Sequence, residues 1–142
     1  MILVDTNVLS EALRPQPAPE VLGWLSENAS VYRVPAVVLA EMWAGVDVLP
    51  SGARKNRLLT AVQHIADHAT TLDRVMPVTL EIARAFGTVI STRQKKGLST
   101  KPMDALIAAT ALVHGAAIAT RDTNDFSGLG VVLVNPWHSK KY

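Results

Sequence analysis

Short β-prone apolar segments alternate along this chain with longer segments of helical period, and that alternation restricts the fold to layered α/β arrangements. Residues 2–4, Ile-Leu-Val, are uniformly apolar, which suits a strand buried on both faces in a parallel sheet. Residues 31–34, 116–119 and 130–134 read as three further strands. Thr6 and Asn7 are expected to cap a helix that runs through Val8, Leu9, Ala12 and Leu13 until Pro15 stops it. Helices are also expected over residues 19–27, 35–48, from Gly52 onward with Leu58, Val62, Ile65 and Ala69 on one face, and over 80–93 with Thr79 as cap and Ile82, Phe86, Val89 and Ile90 as buried stripe. The clearest helix spans residues 102–114, entered by Pro102 and left by Gly115. The predicted fold is a three-layer α/β sandwich, a central and mostly parallel sheet flanked by helices, forming one domain over residues 1–142.

The acids stand in unusual places. Asp5 directly follows the first strand, Glu41 lies inside PAVVLAEMWAG, Asp104 heads PMDALIAATALV, and Asp122 and Asp125 follow AAIATR. Only 12 residues of the chain are Asp or Glu, so solvation is a poor reason for putting five of them at the ends or centres of its most apolar segments. An ionised carboxylate removed from water costs several kcal/mol, order of magnitude, unless something compensates. Ligands of parallel sheets bind beyond the carboxyl ends of the strands, where Asp5 and Asp122 fall. Taken singly, each acid has a structural reading: Asp5 as a turn cap, Asp104 as a first-turn acid favoured by the helix dipole, Glu41 on a narrow wet stripe, Asp122 and Asp125 as turn formers. Taken together, they would repel one another unless a divalent cation held them. The chain has no cysteine, and an all-oxygen ligand set suits Mg²⁺ or Mn²⁺, which can activate water against a phosphodiester. Asp122 and Asp125 cannot be told apart by spacing.

Bulk properties narrow the rest. A hydrophobic content of 49% excludes a disordered chain, and the mean hydropathy is +0.20. The longest apolar run, residues 105–119, is broken by His114 and Gly115 and falls short of the roughly 20 residues of a membrane span; with no signal-peptide pattern at the start, a cytoplasmic protein is expected. A net charge of +2 permits nucleic-acid binding without demanding it. Basic residues cluster at Arg54, Lys55 and Arg57, at Arg93, Lys95, Lys96 and Lys101, and at Lys140 and Lys141. The second cluster precedes Asp104 in sequence and is the candidate for holding a nucleic-acid backbone. His64 and His68 have metal-ligand spacing but lack the zinc-protease glutamate between them, and read as a solvated helix face. Trp24, Trp43 and Trp137 could stack on bases, though core packing is the commoner use.

The segments MILVDTNVLSE, VVLAEMWAG, PMDALIAATA and IATRDTNDFSGLGVVLVNPW resemble, in that order, the signature blocks of PIN-domain ribonucleases, nearest to the FitB-like group of VapC-type toxins. The resemblance runs from Met1 to Trp137. It implies a PIN-like sandwich and an endoribonuclease dependent on Mg²⁺ or Mn²⁺. It also implies a homodimer, and a cognate antitoxin that occupies the acidic pocket. Residue by residue, Asp5, Glu41, Asp104 and Asp122 match the acidic quartet, with the ion falling to Asp5, Asp104 and Asp122. Asp125 matches a position acidic in some relatives, and Thr6 and Thr120 match hydroxyl residues beside the first and last acids. Two other readings stand beside this one. The acidic pocket could be a non-catalytic socket for a partner's arginine. An Asp after the first strand is also how haloacid-dehalogenase-like phosphatases present their nucleophile, although Asn7 stands where those enzymes carry a second Asp.

Overall fold

The computed structural model describes residues 1–138; Lys140 and Lys141 lie outside the described residues. Five parallel strands form one sheet: β1 (Ile2–Val4), β2 (Tyr32–Pro35), β3 (Val75–Met76), β4 (Ala117–Ala119) and β5 (Leu133–Val134), in the order β3-β2-β1-β4-β5. The helices are α1 (Thr6–Glu11), α2 (Pro19–Glu27), α3 (Ala36–Asp47), α4 (Ala53–Thr71), α5 (Leu80–Lys95) and α6 (Pro102–His114), with 3-10 turns at Thr123–Phe126 and Pro136–His138. The expected sandwich is therefore present, and its sheet is parallel throughout.

Two sequence expectations need correction. β3 lies within a stretch where no strand is expected, because two residues carry no period. It exists through its neighbour, pairing Val34 with Val75 and Pro35 with Met76. The cap of α1 is Asp5 and not Thr6 or Asn7, since Oδ1 of Asp5 accepts from the Thr6 amide at 2.7 Å. Elsewhere the local signals hold. Thr79 caps α5 by accepting from the Ile82 amide, and Gly115 ends α6 at φ 61, a left-handed conformation natural to glycine.

The core lies on both faces of β1 and β4, where Leu3, Val4, Ile118 and Ala119 are fully buried. Burying a Leu or Ile side chain stabilises by roughly 1.5–3 kcal/mol, so these residues anchor the centre of the sheet. Strand order also locates the ligand edge. The chain lays β2 and β3 on one side of β1 and β4 and β5 on the other, so the topology reverses between β1 and β4. A crevice for ligands opens at such a reversal, beyond the carboxyl ends of the two strands. Asp5 directly follows β1 and Thr120 directly follows β4.

Candidate active site

The register Val4↔Ala119 carries Asp5 and Thr120 out of the sheet side by side. Thr120 donates its hydroxyl to Oδ2 of Asp5 at 2.7 Å, and both residues are buried. α6 precedes β4 and runs antiparallel to it, as crossover helices do, which brings its N-terminus and Asp104 to the same edge. α3 leaves β2 at that edge too. Glu41 lies in its second turn, where Oε1 accepts from the Thr6 hydroxyl at 2.9 Å. Asp122 and Asp125 arrive on the loop after β4, and the Asp122 amide donates to Oγ1 of Thr120 at 3.0 Å.

Asn7 joins the two sides of the crevice. Its Nδ2 donates to Oδ2 of Asp5 at 3.3 Å and to Oδ2 of Asp122 at 3.1 Å, and lies 3.3 Å from Oγ1 of Thr120, while its Oδ1 accepts from the Arg121 amide at 3.3 Å. Sequence reasoning missed this role and treated Asn7 as a cap. An amide one position beyond an acid-hydroxyl pair, able to donate twice, was the available signal.

The carboxylates act on one another. Burial pushes the Asp5 carboxyl up, hydrogen bonds from Thr120 and Thr6 oppose this, and Asp122 and Asp125 raise it further. Asp104 is pushed up to about 6, first by burial, then by Asp5, Asp125 and Glu41, with Lys101 pulling the other way. Both Asp122 and Asp125 therefore belong to the cluster: Asp122 through Asn7 and Asp5, Asp125 through its field on Asp5 and Asp104. Among the described residues no three acid or imidazole groups stand in ready-made metal-ligand geometry.

The basic residues expected near the site divide. Arg93 is 3% exposed, so it does not offer its guanidinium to a nucleic acid. It extends the buried stripe of α5, four residues after Val89, and spends its donors on Ser99, Thr100, Asn124 and Ser127. Lys95 and Lys101 are exposed, and the ammonium of Lys96 donates to the Gly128 carbonyl at 2.6 Å. His64 and His68 are exposed, Trp24 is buried, and Trp137 lies 4.0 Å beneath the Arg121 guanidinium. Arg121 also pairs with the buried Glu11 at 3.2 Å. The Ala18 amide donates to Glu11 at 2.9 Å and is the main cause holding that carboxyl below its usual range.

A groove of about 860 Å³ opens beside the acids, shared by α1, α3 and α4. Met42, Leu58 and Val62 contribute apolar wall, Arg54 and Arg57 line it, and Thr6 and Glu41 connect it to the crevice. No helix among the described residues is long and apolar enough to cross a membrane.

Comparison with known proteins agrees with this geometry. Residues 2–131 match the PIN domain. The chain is 37% identical to the toxin FitB of Neisseria gonorrhoeae, over 97% of this chain and 99% of the relative. It is 33% identical to the plasmid stability protein StbB of Pseudomonas syringae pv. tomato, over 98% and 100% respectively. A VapC ribonuclease of Sinorhizobium fredii is 32% identical, over 96% of this chain and 98% of its own length. Among solved structures, FitAB bound to a DNA fragment superposes with a TM-score of 0.89 at 36% identity, covering 100% of this chain and 99% of the other. With Asp5 directly after β1, acids from three further segments meeting it, and a family match across nearly the whole chain, the protein belongs to the PIN domain family.

Proposed function

We propose that this chain is a divalent-metal-dependent endoribonuclease and the toxin of a toxin–antitoxin pair. One observation carries the reading: four acids from separate segments face one another, and burial, then Asp5, Asp125 and Glu41, push the Asp104 carboxyl up to about 6. Such mutual repulsion is what a dication relieves, and an all-oxygen donor set fits Mg²⁺ or Mn²⁺. Relatives described as VapC ribonucleases support the reaction class. A bound ion of this kind supplies positive charge for phosphate oxygens and makes hydroxide accessible from water near neutral pH.

Asp5, Asp104 and Asp122 hold the ion, and Asn7 keeps Asp5 and Asp122 at a common spacing. Thr120 and the Thr6 amide fix the rotamer of Asp5, so that its carboxylate needs little reordering on binding. Glu41, steadied by the Thr6 hydroxyl, takes the proton from the attacking water as it adds to phosphorus and the bridging oxygen leaves. Thr6 thus links the first acid to the proposed base. Lys95 and Lys101, both exposed, hold the RNA backbone, whereas the expected third lysine, Lys96, has its ammonium on the Gly128 carbonyl. A phosphatase of the haloacid-dehalogenase type is disfavoured, because Asn7 stands where those enzymes carry a second Asp and spends its amide on Asp5 and Asp122.

The cognate antitoxin covers this site by filling the adjoining groove with an apolar segment, its acidic groups facing Arg54 and Arg57. Solved complexes of FitAB and VapBC support an antitoxin as partner. The protein works as a homodimer in the cytoplasm.

Cleavage of a mixed structured-RNA pool by the purified, partner-free chain tests the reading, with Mg²⁺, Mn²⁺ or EDTA, comparing wild type with Asp5→Asn and Asp104→Asn. Metal-dependent cutting lost in both variants is expected. Folded protein that binds its partner but cuts no RNA under either metal would favour the arginine socket instead.

A further inference from the structure

A buried arginine with only neutral partners needs an explanation, since an unpaired buried charge is costly. Arg93 has that arrangement. Its Nε donates to Oγ1 of Thr100 at 2.6 Å and its Nη2 to the Ser99 carbonyl at 3.2 Å. On the other side Nη1 donates to the Ser127 carbonyl, and both Nη atoms lie 3.4 Å from the Asn124 carbonyl. Among the described residues it forms no ion pair.

The two sets of acceptors belong to different parts of the acid cluster. Ser99 and Thr100 lie in the connection that delivers α6, and Asp104 is in the first turn of that helix. Asn124 and Ser127 flank Asp125 in the loop after β4. A tight turn folds Ser99 and Thr100 back toward this side chain: the Leu98 amide donates to the Arg93 main-chain carbonyl at 2.9 Å, with Gly97 at φ 73. Lys96 adds a strap to the same loop through the Gly128 carbonyl. Neither loop has a β-ladder of its own to fix its distance from the other.

We propose that Arg93 is a positioning residue that sets the spacing of Asp104 against the Asp122–Asp125 loop, and thereby the affinity of the acid cluster for a divalent cation. The inference rests on the reading of that cluster as a metal site. A planar guanidinium with five donors can clamp two loops at once, whereas an ammonium is a point donor on a flexible stem. Residues that orient metal ligands from behind change affinity by about 10–100-fold when removed.

Mn²⁺ binding to the purified full chain, followed by electron paramagnetic resonance, tests this with wild type, Arg93→Met, Arg93→Lys, Thr100→Val and Val21→Ala. Arg93→Met should weaken Mn²⁺ binding at least about tenfold. Arg93→Lys and Thr100→Val should fall between it and wild type, and they carry the test if Arg93→Met does not fold. Val21→Ala removes buried volume in α2, away from both loops, and should lower the melting temperature while keeping wild-type affinity. The salt dependence of RNA binding in EDTA should be unchanged in Arg93→Met, because the guanidinium does not reach solvent. Wild-type Mn²⁺ affinity in Arg93→Met or Thr100→Val, an equal loss in Val21→Ala, or a reduced salt slope would each overturn the positioning role. Wild-type protein that binds no Mn²⁺ would instead remove the metal-site reading beneath it, and the inference with it.

Discussion

Replacing Asp104 by Asn should stabilise the metal-free protein at neutral pH, although it removes an acid from the first turn of a helix. The Asp104 carboxyl is pushed from its ordinary 3.8 to about 6 by burial and by Asp5, Asp125 and Glu41. At about 1.4 kcal/mol per pH unit, that displacement corresponds to about 3 kcal/mol. Asp104 is only half-buried, so solvent screening reduces the figure to about 1.5 kcal/mol. The dipole of α6 works in the opposite direction, by about 0.3–1 kcal/mol. Burial and repulsion together win, and the Asn variant should be more stable by about 1 kcal/mol, or roughly 4 °C in Tm for a domain of this size. The sign with pH follows from the raised midpoint. Wild type keeps the full contribution below pH 3.8 and loses it as the pH rises through about 6, whereas Asn does not titrate. Thermal or urea unfolding in EDTA from pH 4.5 to 8 should therefore show an advantage for Asn that is small at the acid end and levels off above pH 7. Added Mg²⁺ should reverse the ranking, because wild type gains binding energy that the variant has lost. A wild type at least as stable as Asp104→Asn at pH 8 in EDTA would refute the repulsion argument and leave Asp104 as a helix-dipole acid.

Asn7→Ala removes the bridge between Asp5 and Asp122 and should reduce Mn²⁺ affinity and RNA cleavage by about 10–100-fold with little change in Tm; unchanged metal affinity would show that the bridge is incidental. Phe126→Ala empties a fully buried site under the Asp125 turn and should cost about 3–5 kcal/mol in urea unfolding, while a cost under about 1 kcal/mol would mean the loop is not anchored there. Glu11→Ala should lower Tm more than Glu11→Gln, because Gln still offers an acceptor to the Ala18 amide. The Glu11 carboxyl sits below its ordinary 4.5, so its contribution is present above that value and disappears as the pH falls through the depressed midpoint; equal Tm values for the two variants would contradict the hydrogen-bond account.

Local chemistry in the sequence determined the elements that fold by local rules. Pro102 and Gly115 bound α6, Thr79 caps α5, and an apolar Ile-Leu-Val run forms β1, because caps, φ preferences and burial period act within a few residues. The same rules place Asp5 at a strand's carboxyl end, and the parallel topology then points it toward a crevice. β3 was not legible, since its two residues exist as a strand only by pairing with Val34 and Pro35. Asn7 reaches Thr120 and Asp122 across more than a hundred residues of chain, and no periodicity encodes such a contact. Arg93 shows the limit most clearly. Grouped with its basic neighbours in sequence, it looked like a hand for RNA, yet it sits on the buried stripe four residues after Val89 and clamps two loops from inside. Charge can be read from residue type, but whether that charge meets water or a carbonyl depends on which surfaces the tertiary structure closes.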